Sequence, residues 1–389
     1  MLHMKKVLIW GYGVSGKATE KLIKKFHADW DYCITAKENI LHEKYIKEQD
    51  ISNFVFDKII LSPGVSLSPD IDQSIVQSDV DFAYQYIAKT VFIGITGSNG
   101  KTSVRNYLGS FLQSLGYRVF IGGNSGVPLA EGILSSNYYD FYICEISSYQ
   151  LEHIKFLKPN LIIFTNIFYT HKERYASFEE YKKAKWNIFK NATEKTFVIS
   201  EKEFYKQTHN FSIEDLDLNF SLDHLIGDHQ EKNMKMVYLA AKCFLSFQDE
   251  VFFNFIQTLQ PVEHRMEKMI LGQYSIYNDS KSTNPKALQV AIESMKEPFD
   301  LIVGGKFSSQ EDIEAIRSLI QNTLIQQTFV FGQIASYFED YPLFFEKHHV
   351  FKSKIILFSP GAASLDGFKN YEERGNFFKI YIQSMLQGE

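Results

Sequence analysis

Lys101 and Thr102 close the run Gly94-Ile95-Thr96-Gly97-Ser98-Asn99-Gly100-Lys101-Thr102-Ser103, whose residue types suit the capture of phosphate. The apolar Val91-Phe92-Ile93 ahead of it predicts a buried strand, and a helix should open at about Thr102. Backbone N–H groups of Gly97, Ser98, Asn99 and Gly100 would then converge with the positive end of the helix dipole. Lys101 can reach terminal phosphates, and the Thr102 hydroxyl can hold Mg²⁺. Ile95 stands where the common form of this loop has glycine. A chance Gly-Lys-Thr in a plain turn is the alternative; the expected ligand is ATP or GTP.

Two further segments carry chemistry. In Cys144-Glu145-Ile146-Ser147-Ser148-Tyr149-Gln150-Leu151-Glu152, Glu145 falls at the end of a predicted buried strand. A carboxylate there is costly unless it meets a cation, so Glu145 suits Mg²⁺. A partly exposed strand-end glutamate is the bland reading. Gly11-Tyr12-Gly13-Val14-Ser15-Gly16 lies between a predicted strand and a predicted helix, the context of a dinucleotide fingerprint. Asp29 and Asp31 follow at about the ~20-residue distance of a ribose-binding acid. Alone this suggests NAD or FAD, but the same turn holds any diphosphate, including that of a UDP-sugar. A nicotinamide enzyme would leave the ATP loop unexplained.

The elements that must position these residues are short apolar strands alternating with helical patterns, which predicts α/β units with mainly parallel sheets. Strands are expected at Lys6–Trp10, Lys58–Leu61, Phe141–Cys144, Leu161–Phe164, Ser275–Tyr277, Leu301–Val303, Thr328–Phe331 and Lys354–Phe358, with helices over Ser103–Leu115 and Tyr181–Phe189. Every motif falls just after a predicted strand, or on a helix or loop near one. The polar stretch Glu194–Asp228 yields no clear elements. A chain of 389 residues is too long for one core. Three domains are expected: 1–88, 89–262 and 263–389. A net charge of −5 argues against a nucleic-acid partner. Cys33, Cys144 and Cys243 form neither a disulfide framework nor a metal spacing and read as small core residues, and the N-terminal apolar run is too short for a signal or a membrane span. A cytoplasmic protein without membrane insertion is expected.

The wording Thr96-Gly97-Ser98-Asn99-Gly100-Lys101-Thr102 resembles the ATP loop of the Mur ligase superfamily, which builds the peptide of bacterial cell walls and includes the folylpolyglutamate synthases. Ile60-Leu61-Ser62-Pro63-Gly64-Val65 is similar to the N-terminal signature on which the UDP end of the substrate rests, implicating Gly13, Val14, Ser15 and Ser62. The Glu145 segment resembles E-[LI]-S-S-[FY]-Q-L-E. Thr170-His171-Lys172-Glu173-Arg174-Tyr175, with Ser177-Phe178, Tyr181 and Ala184-Lys185, resembles D-H-x-[DE]-R-[HY]…S-F-x-x-Y…A-K, with Thr170 in place of aspartate. That match implies His171 as a second metal ligand and Lys185 as a carbamylated lysine. Carbamylation needs a neutral amine, and a free lysine of pKa about 10.4 is neutral roughly one time in a thousand near pH 7.4. Burial or a nearby cation must help; without the resemblance Lys185 reads as a surface lysine.

Gly122-Gly123-Asn124-Ser125-Gly126-Val127-Pro128 resembles the loop whose asparagine contacts the sugar-peptide, implying that role for Asn124. Gly227-Asp228-His229-Gln230-Glu231-Lys232-Asn233 resembles G-x-H-N-x-x-N, with Gln230 replacing asparagine and Asn233 as the implied adenine contact. His264-Arg265-Met266-Glu267 and Asn278-Asp279-Ser280-Lys281-Ser282-Thr283-Asn284-Pro285 resemble the segments in which Arg265 and Asp279 serve ATP, while Lys281 and Thr283 face the amino acid. Leu357 to Gly375 resembles the C-terminal signature of the D-glutamate-adding branch, implying that Ser364 and the backbone near Tyr371 hold the acceptor side chain.

The resemblance implies a Rossmann-like N-terminal domain, a central P-loop-type ATPase domain and a Rossmann-like C-terminal domain. It implies a monomeric, ATP- and Mg²⁺-dependent ligase that adds D-glutamate to UDP-N-acetylmuramoyl-L-alanine through an acyl phosphate, with Lys101, Glu145, His171, Lys185 and Arg265 as its catalytic set. Another amide ligase of the superfamily, and a silent nucleotide-binding regulator on the same scaffold, are the alternatives. One position departs in the amino-acid pocket: Ser308 stands where a lysine or arginine is usual, and Lys306 lies two residues earlier. Lys306→Ala should therefore raise the KM for D-glutamate more than Ser308→Ala does, in steady-state assays of both variants.

Overall fold

The computed structural model describes residues 4–67, 70–87, 90–136, 138–201, 210–218, 228–259, 263–307, 309–346 and 349–387, the side chains of residues 228, 229 and 387 excepted. The chain forms two compact units, Met1–Leu218 with Asn233–Phe255 and Asn219–Lys232 with Ile256–Glu389. The domain boundaries drawn at 88 and 262 fall outside the described residues. Among the described residues there are three sheets, two of them in the first unit.

The first sheet holds β1 (Lys6–Trp10), β2 (Asp31–Thr35), β3 (Lys58–Leu61) and β4 (Val76–Ser78), all parallel in the order β2-β1-β3-β4. Val7, Leu8 and Ile9 are buried, as a strand covered on both faces requires. Helices α1 (Val14–Phe26) and α2 (Asp79–Tyr84) follow β1 and β4. The strand order reverses between β1 and β3, so the turns after these strands flank a crevice of the kind that binds ligands in open α/β sheets. Gly16 is obligatory there, because a Cβ on it would sit 2.0 Å from the Gly11 carbonyl oxygen.

The second sheet is also wholly parallel: β5 (Val91–Thr96), β6 (Val119–Gly123), β7 (Phe141–Glu145), β8 (Leu161–Phe164), β9 (Phe197–Ser200) and β10 (Asn210–Ser212). Their order is β10-β9-β8-β5-β7-β6, so β5 lies inside the sheet with β7 and β8 at its sides. The helices are α3 (Lys101–Ser114), α4 (Leu129–Ser135), α5 (Ser148–Leu151), α6 (Phe178–Trp186), α7 (Asp228–Lys242) and α8 (Asp249–Thr258). α3 buries Val104, Leu108, Phe111 and Leu112 at helical spacing, and Phe111 meets Phe247, Phe252 and Phe255. β9 and β10 come from the stretch for which sequence gave no elements; much of the remainder, 202–209 and 219–227, lies outside the described residues.

The third sheet has the order β11-β12-β15-β13-β14, from β11 (Glu267–Leu271), β12 (Tyr274–Asn278), β13 (Phe299–Gly304), β14 (Ile325–Phe331) and β15 (Ile355–Gly361). Only the edge strand β11 is antiparallel. Helices α9 (Pro285–Ser294), α10 (Gln310–Leu319) and α11 (Tyr371–Gln387) flank it. Asn284 caps α9 by accepting from the Ala287 N–H, with Pro285 at the first helical position.

Within the first unit, the fully buried Asp81 of α2 joins the two sheets. Its carboxylate accepts from the Lys155, Phe156 and Leu157 N–H groups at 2.9, 2.9 and 2.6 Å, and from Gln77 Nε2 at 2.7 Å. Asp81→Ala strands these donors, and each costs ~1–3 kcal/mol when left unsatisfied. Urea unfolding should show a loss of about 3 kcal/mol or more, with Asp81→Asn milder.

Candidate active site

The phosphate loop leaves β5 and enters α3 as the glycine pattern requires. Gly97 and Gly100 have φ of +141° and +84°, and a Cβ on Gly97 would lie 2.0 Å from Thr165 Oγ1. Neighbouring strand ends pin the loop: Thr165 Oγ1 donates to the Asn99 carbonyl at 2.6 Å, Asn166 Oδ1 accepts from the Asn99 N–H at 2.9 Å, and Ser98 N–H donates to the Asn166 carbonyl. Lys101 Nζ folds back over the loop, 2.9 Å from both the Gly97 and Ser98 carbonyls. The buried Asn233 packs its side chain against Gly100, since a Cβ there would be 2.9 Å from Asn233 Oδ1.

Glu145 ends β7 beside the loop and is only 3% exposed. Its Oε2 accepts from Thr102 Oγ1 at 2.7 Å and lies 3.7 Å from Arg105 Nη1. The next strand end is tied to the same residue, because the Asn124 N–H donates to the Glu145 carbonyl at 2.8 Å. Asn124 itself is exposed.

Lys185 departs from its expectation as a surface lysine. It sits on the inner face of α6, 2% exposed, with Nζ 2.8 Å from the Gly97 carbonyl and 4.9 Å from the Tyr181 ring centroid. Burial, reinforced by the charge on Lys101 and opposed by Glu145, lowers its pKa well below the ordinary lysine value. His171 adopts φ of +60° and keeps a solvent-facing edge. Its Nδ1 lies 2.9 Å from Tyr149 Oη and 3.2 Å from Glu173 Oε1, and its ring centroid 6.2 Å from that of Tyr181. Its pKa is lowered, mainly by burial, with Lys185 and Lys101 adding to the effect against Glu173. Thr170, where aspartate was usual, bonds to Tyr181 Oη at 3.0 Å, and Tyr181 Oη lies 3.1 Å from Ser98 Oγ.

Among the described residues no cluster of three or more His, Cys, Asp or Glu could hold a metal ion. The donors that gather at the loop are instead a hydroxyl, a carboxylate and a low-pKa amine, Thr102, Glu145 and Lys185. This set fits a hard cation if the amine is converted to a carbamate, which supplies the second carboxylate.

In the first sheet, Ser62 Oγ donates to the Gly11 carbonyl at 2.7 Å, joining the turns on either side of the crevice. Gly13, Val14 and Ser15 begin α1, with Gly13 and Val14 exposed. Asp31 lies at the amino end of β2, where its carboxylate meets Lys44 Nζ at 3.2 Å. It is at the wrong end of the strand for a ribose at the carboxyl side, and Asp29 lies earlier still, in the turn before β2, so neither candidate acid reaches that end. Asp79 of α2 is a buried carboxyl that accepts from Gln150 Nε2 at 3.0 Å. Arg174 bonds to Glu152 at 2.6 Å and to Ser66 Oγ at 2.9 Å, just beyond the Ser62 turn.

In the second unit, the loops after β12, β13 and β15 converge. Lys281 Nζ lies 3.7 Å from the Tyr371 ring centroid. Thr283 is half-buried, Ser364 buried and Lys306 exposed, its backbone paired with Ala363. Ser308 lies outside the described residues. Asp279 accepts from Ser359 Oγ at 2.9 Å; burial raises its pKa to about 7, against that hydroxyl and the half-buried Arg265. Arg374, 0% exposed, donates to the Ala362 carbonyl at 2.9 Å and to the Ser280 carbonyl at 2.6 Å.

Sequence reasoning overlooked Arg105, Asp79 and Arg374. Arg105 carried a signal, being a cation on the apolar face of α3, four residues after Lys101. Asp79 carried none, because its partners are far away in sequence. Cys144 is buried as expected, whereas Cys33 and Cys243 are half-buried.

A glycine-rich phosphate loop with a buried acid at the next strand end, on parallel α/β sheets, defines a nucleotide-dependent α/β enzyme. Residues 95–281 match the Mur ligase middle domain. The chain is 30% identical to the UDP-N-acetylmuramoylalanine–D-glutamate ligase of Lawsonia intracellularis, over 98% of this chain and 94% of that one. It is also 30% identical to the Thermoanaerobacter sp. protein of the same name, over 99% of each. In fold it is similar to the MurF ligase of Thermotoga maritima solved with ADP, with a TM-score of 0.64 and 16% identity over 99% and 96% of the two chains. The chain belongs to the Mur ligase family, in its UDP-N-acetylmuramoylalanine–D-glutamate ligase branch. No helix among the described residues is long and apolar enough to cross a membrane.

Asp279 generates a pH prediction. The folded state retains a proton to about pH 7 that the unfolded chain releases near 3.8. The resulting stability is full below 3.8 and is lost as pH rises to 7. Relative to Asp279→Asn, the natural protein should lose stability across that window and run parallel outside it, as read from urea midpoints at pH 4 to 8.

Proposed function

We propose that the chain joins D-glutamate to UDP-N-acetylmuramoyl-L-alanine, with cleavage of ATP to ADP and phosphate. The observation that carries this reading is the buried amine of Lys185 against the Gly97 carbonyl, at the phosphate loop that also holds Lys101 and faces Glu145. A protein that only sensed nucleotide would have no use for a lysine so held.

The substrate carboxylate is a poor electrophile, so it must first be activated. Its oxygen attacks the γ-phosphorus, the bond from that phosphorus to the β,γ-bridging oxygen breaks, and ADP leaves. The deprotonated amine of D-glutamate then attacks the acyl phosphate carbonyl; the tetrahedral intermediate collapses with loss of phosphate and the amide remains. Gly97 to Gly100 and Lys101 take the polyphosphate, and Asn233 the adenine. Thr102, Glu145, His171 and the carbamate of Lys185 would hold Mg²⁺, which when bound supplies positive charge for phosphoryl transfer. The turns of Gly13-Val14-Ser15 and Ser62 take the UDP end, and Asn124 the sugar-peptide. In the second unit Lys281, Thr283, Lys306, Ser364 and Tyr371 offer the donors that two carboxylates need. A nucleotide-linked substrate and ATP support a cytoplasmic site for the reaction.

Phosphate release from ATP, assayed with UDP-N-acetylmuramoyl-L-alanine and a panel of amino acids, tests the reading. Release should depend on D-glutamate; equal turnover with L-alanine or a diamino acid would overturn the acceptor. Lys185→Ala should lower turnover by ~10²–10³, the scale of losing one preorganised group, and small carboxylates should partly restore it. No rescue, with a bare amine in electron density at saturating bicarbonate, would refute the carbamate.

A further inference from the structure

Arg105 is a buried cation whose partners only half match it. It is 6% exposed on α3, one turn beyond Lys101. Nε donates to Asn106 Oδ1 at 3.0 Å, and Nη1 donates to the Ser125 carbonyl at 2.5 Å and more weakly to the Gly122 carbonyl at 3.5 Å. The nearest carboxylate, Glu145, is 3.7 Å away and already accepts from Thr102. No described residue accepts from Nη2. A buried guanidinium in this state is costly unless another anion meets the open side of its fork.

The position of the fork indicates which anion. Both Nη atoms lie 3.9 Å from the point where a Cβ on Gly126 would stand, so the fork borders the loop that carries the exposed Asn124. Nη1 also lies 3.7 Å from Glu145, to which Thr102 donates. A group reaching the fork is therefore next to both the sugar-peptide loop and the phosphate loop. UDP-N-acetylmuramoyl-L-alanine has a single carboxylate, the one that reacts. We infer that Arg105 receives this carboxylate through Nη2, holding it beside the phosphate loop and offsetting its repulsion from the phosphates. The inference rests on the proposed function, which it extends to one atom of one substrate.

Calorimetric titration of the full chain, without nucleotide or divalent cation, compares UDP-N-acetylmuramoyl-L-alanine with its C-terminal amide. The natural protein should prefer the acid by roughly tenfold or more, the scale of one charge-assisted contact. Arg105→Met should reduce that preference to less than about twofold while leaving amide affinity nearly unchanged. A merely structural Arg105 would instead weaken both ligands together and keep their ratio, and that result overturns the inference. Equal binding of acid and amide by the natural protein overturns it as well. If neither ligand binds, the proposed function itself fails. Should Arg105→Met not fold, Arg105→Gln retains a donor for the Ser125 carbonyl and replaces it in the same comparison.

Discussion

Glu145 is a carboxylate buried at the carboxyl end of an inner parallel strand. That burial is tolerated only because cations and hydroxyls surround it. Thr102 donates to it, Arg105 stands near it, and its own carbonyl anchors the Asn124 loop. The phosphate loop, the sugar-peptide loop and the acid therefore form one assembly, and displacement of any one is felt by the others. Lys185 closes this assembly from α6. Its amine is denied solvent and lies near the charge of Lys101, which favours its neutral form.

Buried carboxylates also join the first two sheets. Asp81 satisfies three consecutive backbone N–H groups, which fixes both position and orientation in a way apolar contact does not. Asp79 of α2 accepts from Gln150 Nε2, and Gln150 Oε1 accepts from the Ser147 N–H in the capping box at the start of α5. A hydrogen-bonded path thus runs from α2 to the residues just after Glu145. Arg174 adds a second tie near the Ser62 turn.

The second unit answers the same problem with a cation. Arg374, fully enclosed, donates to the carbonyls of Ser280 and Ala362, and its guanidinium lies beside Gly305, where any side chain would collide with it. Loops after β12, β13 and β15 are thereby held in fixed relation, although none is regular structure. Burial lowers the pKa of this arginine to about 10, still far above neutrality, so its charge persists.

The sequence by itself determined the strands that lead into the phosphate loop, Glu145 and the Ser62 turn, though not β6 ahead of Asn124, since periodicity and glycine geometry are local properties. Val91-Phe92-Ile93, Phe141-Tyr142-Ile143-Cys144 and Leu357-Phe358 could only be strands buried on both faces, and Gly97 and Gly100 could only be turn residues. The surroundings of each ionisable group were decided by tertiary structure alone. Lys185 has the sequence context of a surface lysine and becomes buried because α6 packs over the Gly97 turn, far away along the chain. Asp31 has the spacing of a ribose ligand and misses it because β2 begins, rather than ends, at that residue. Asp79, Arg105 and Arg374 gain their roles from partners between 12 and 94 residues distant. Desolvation and pairing depend on what the fold brings near, and no local pattern records that.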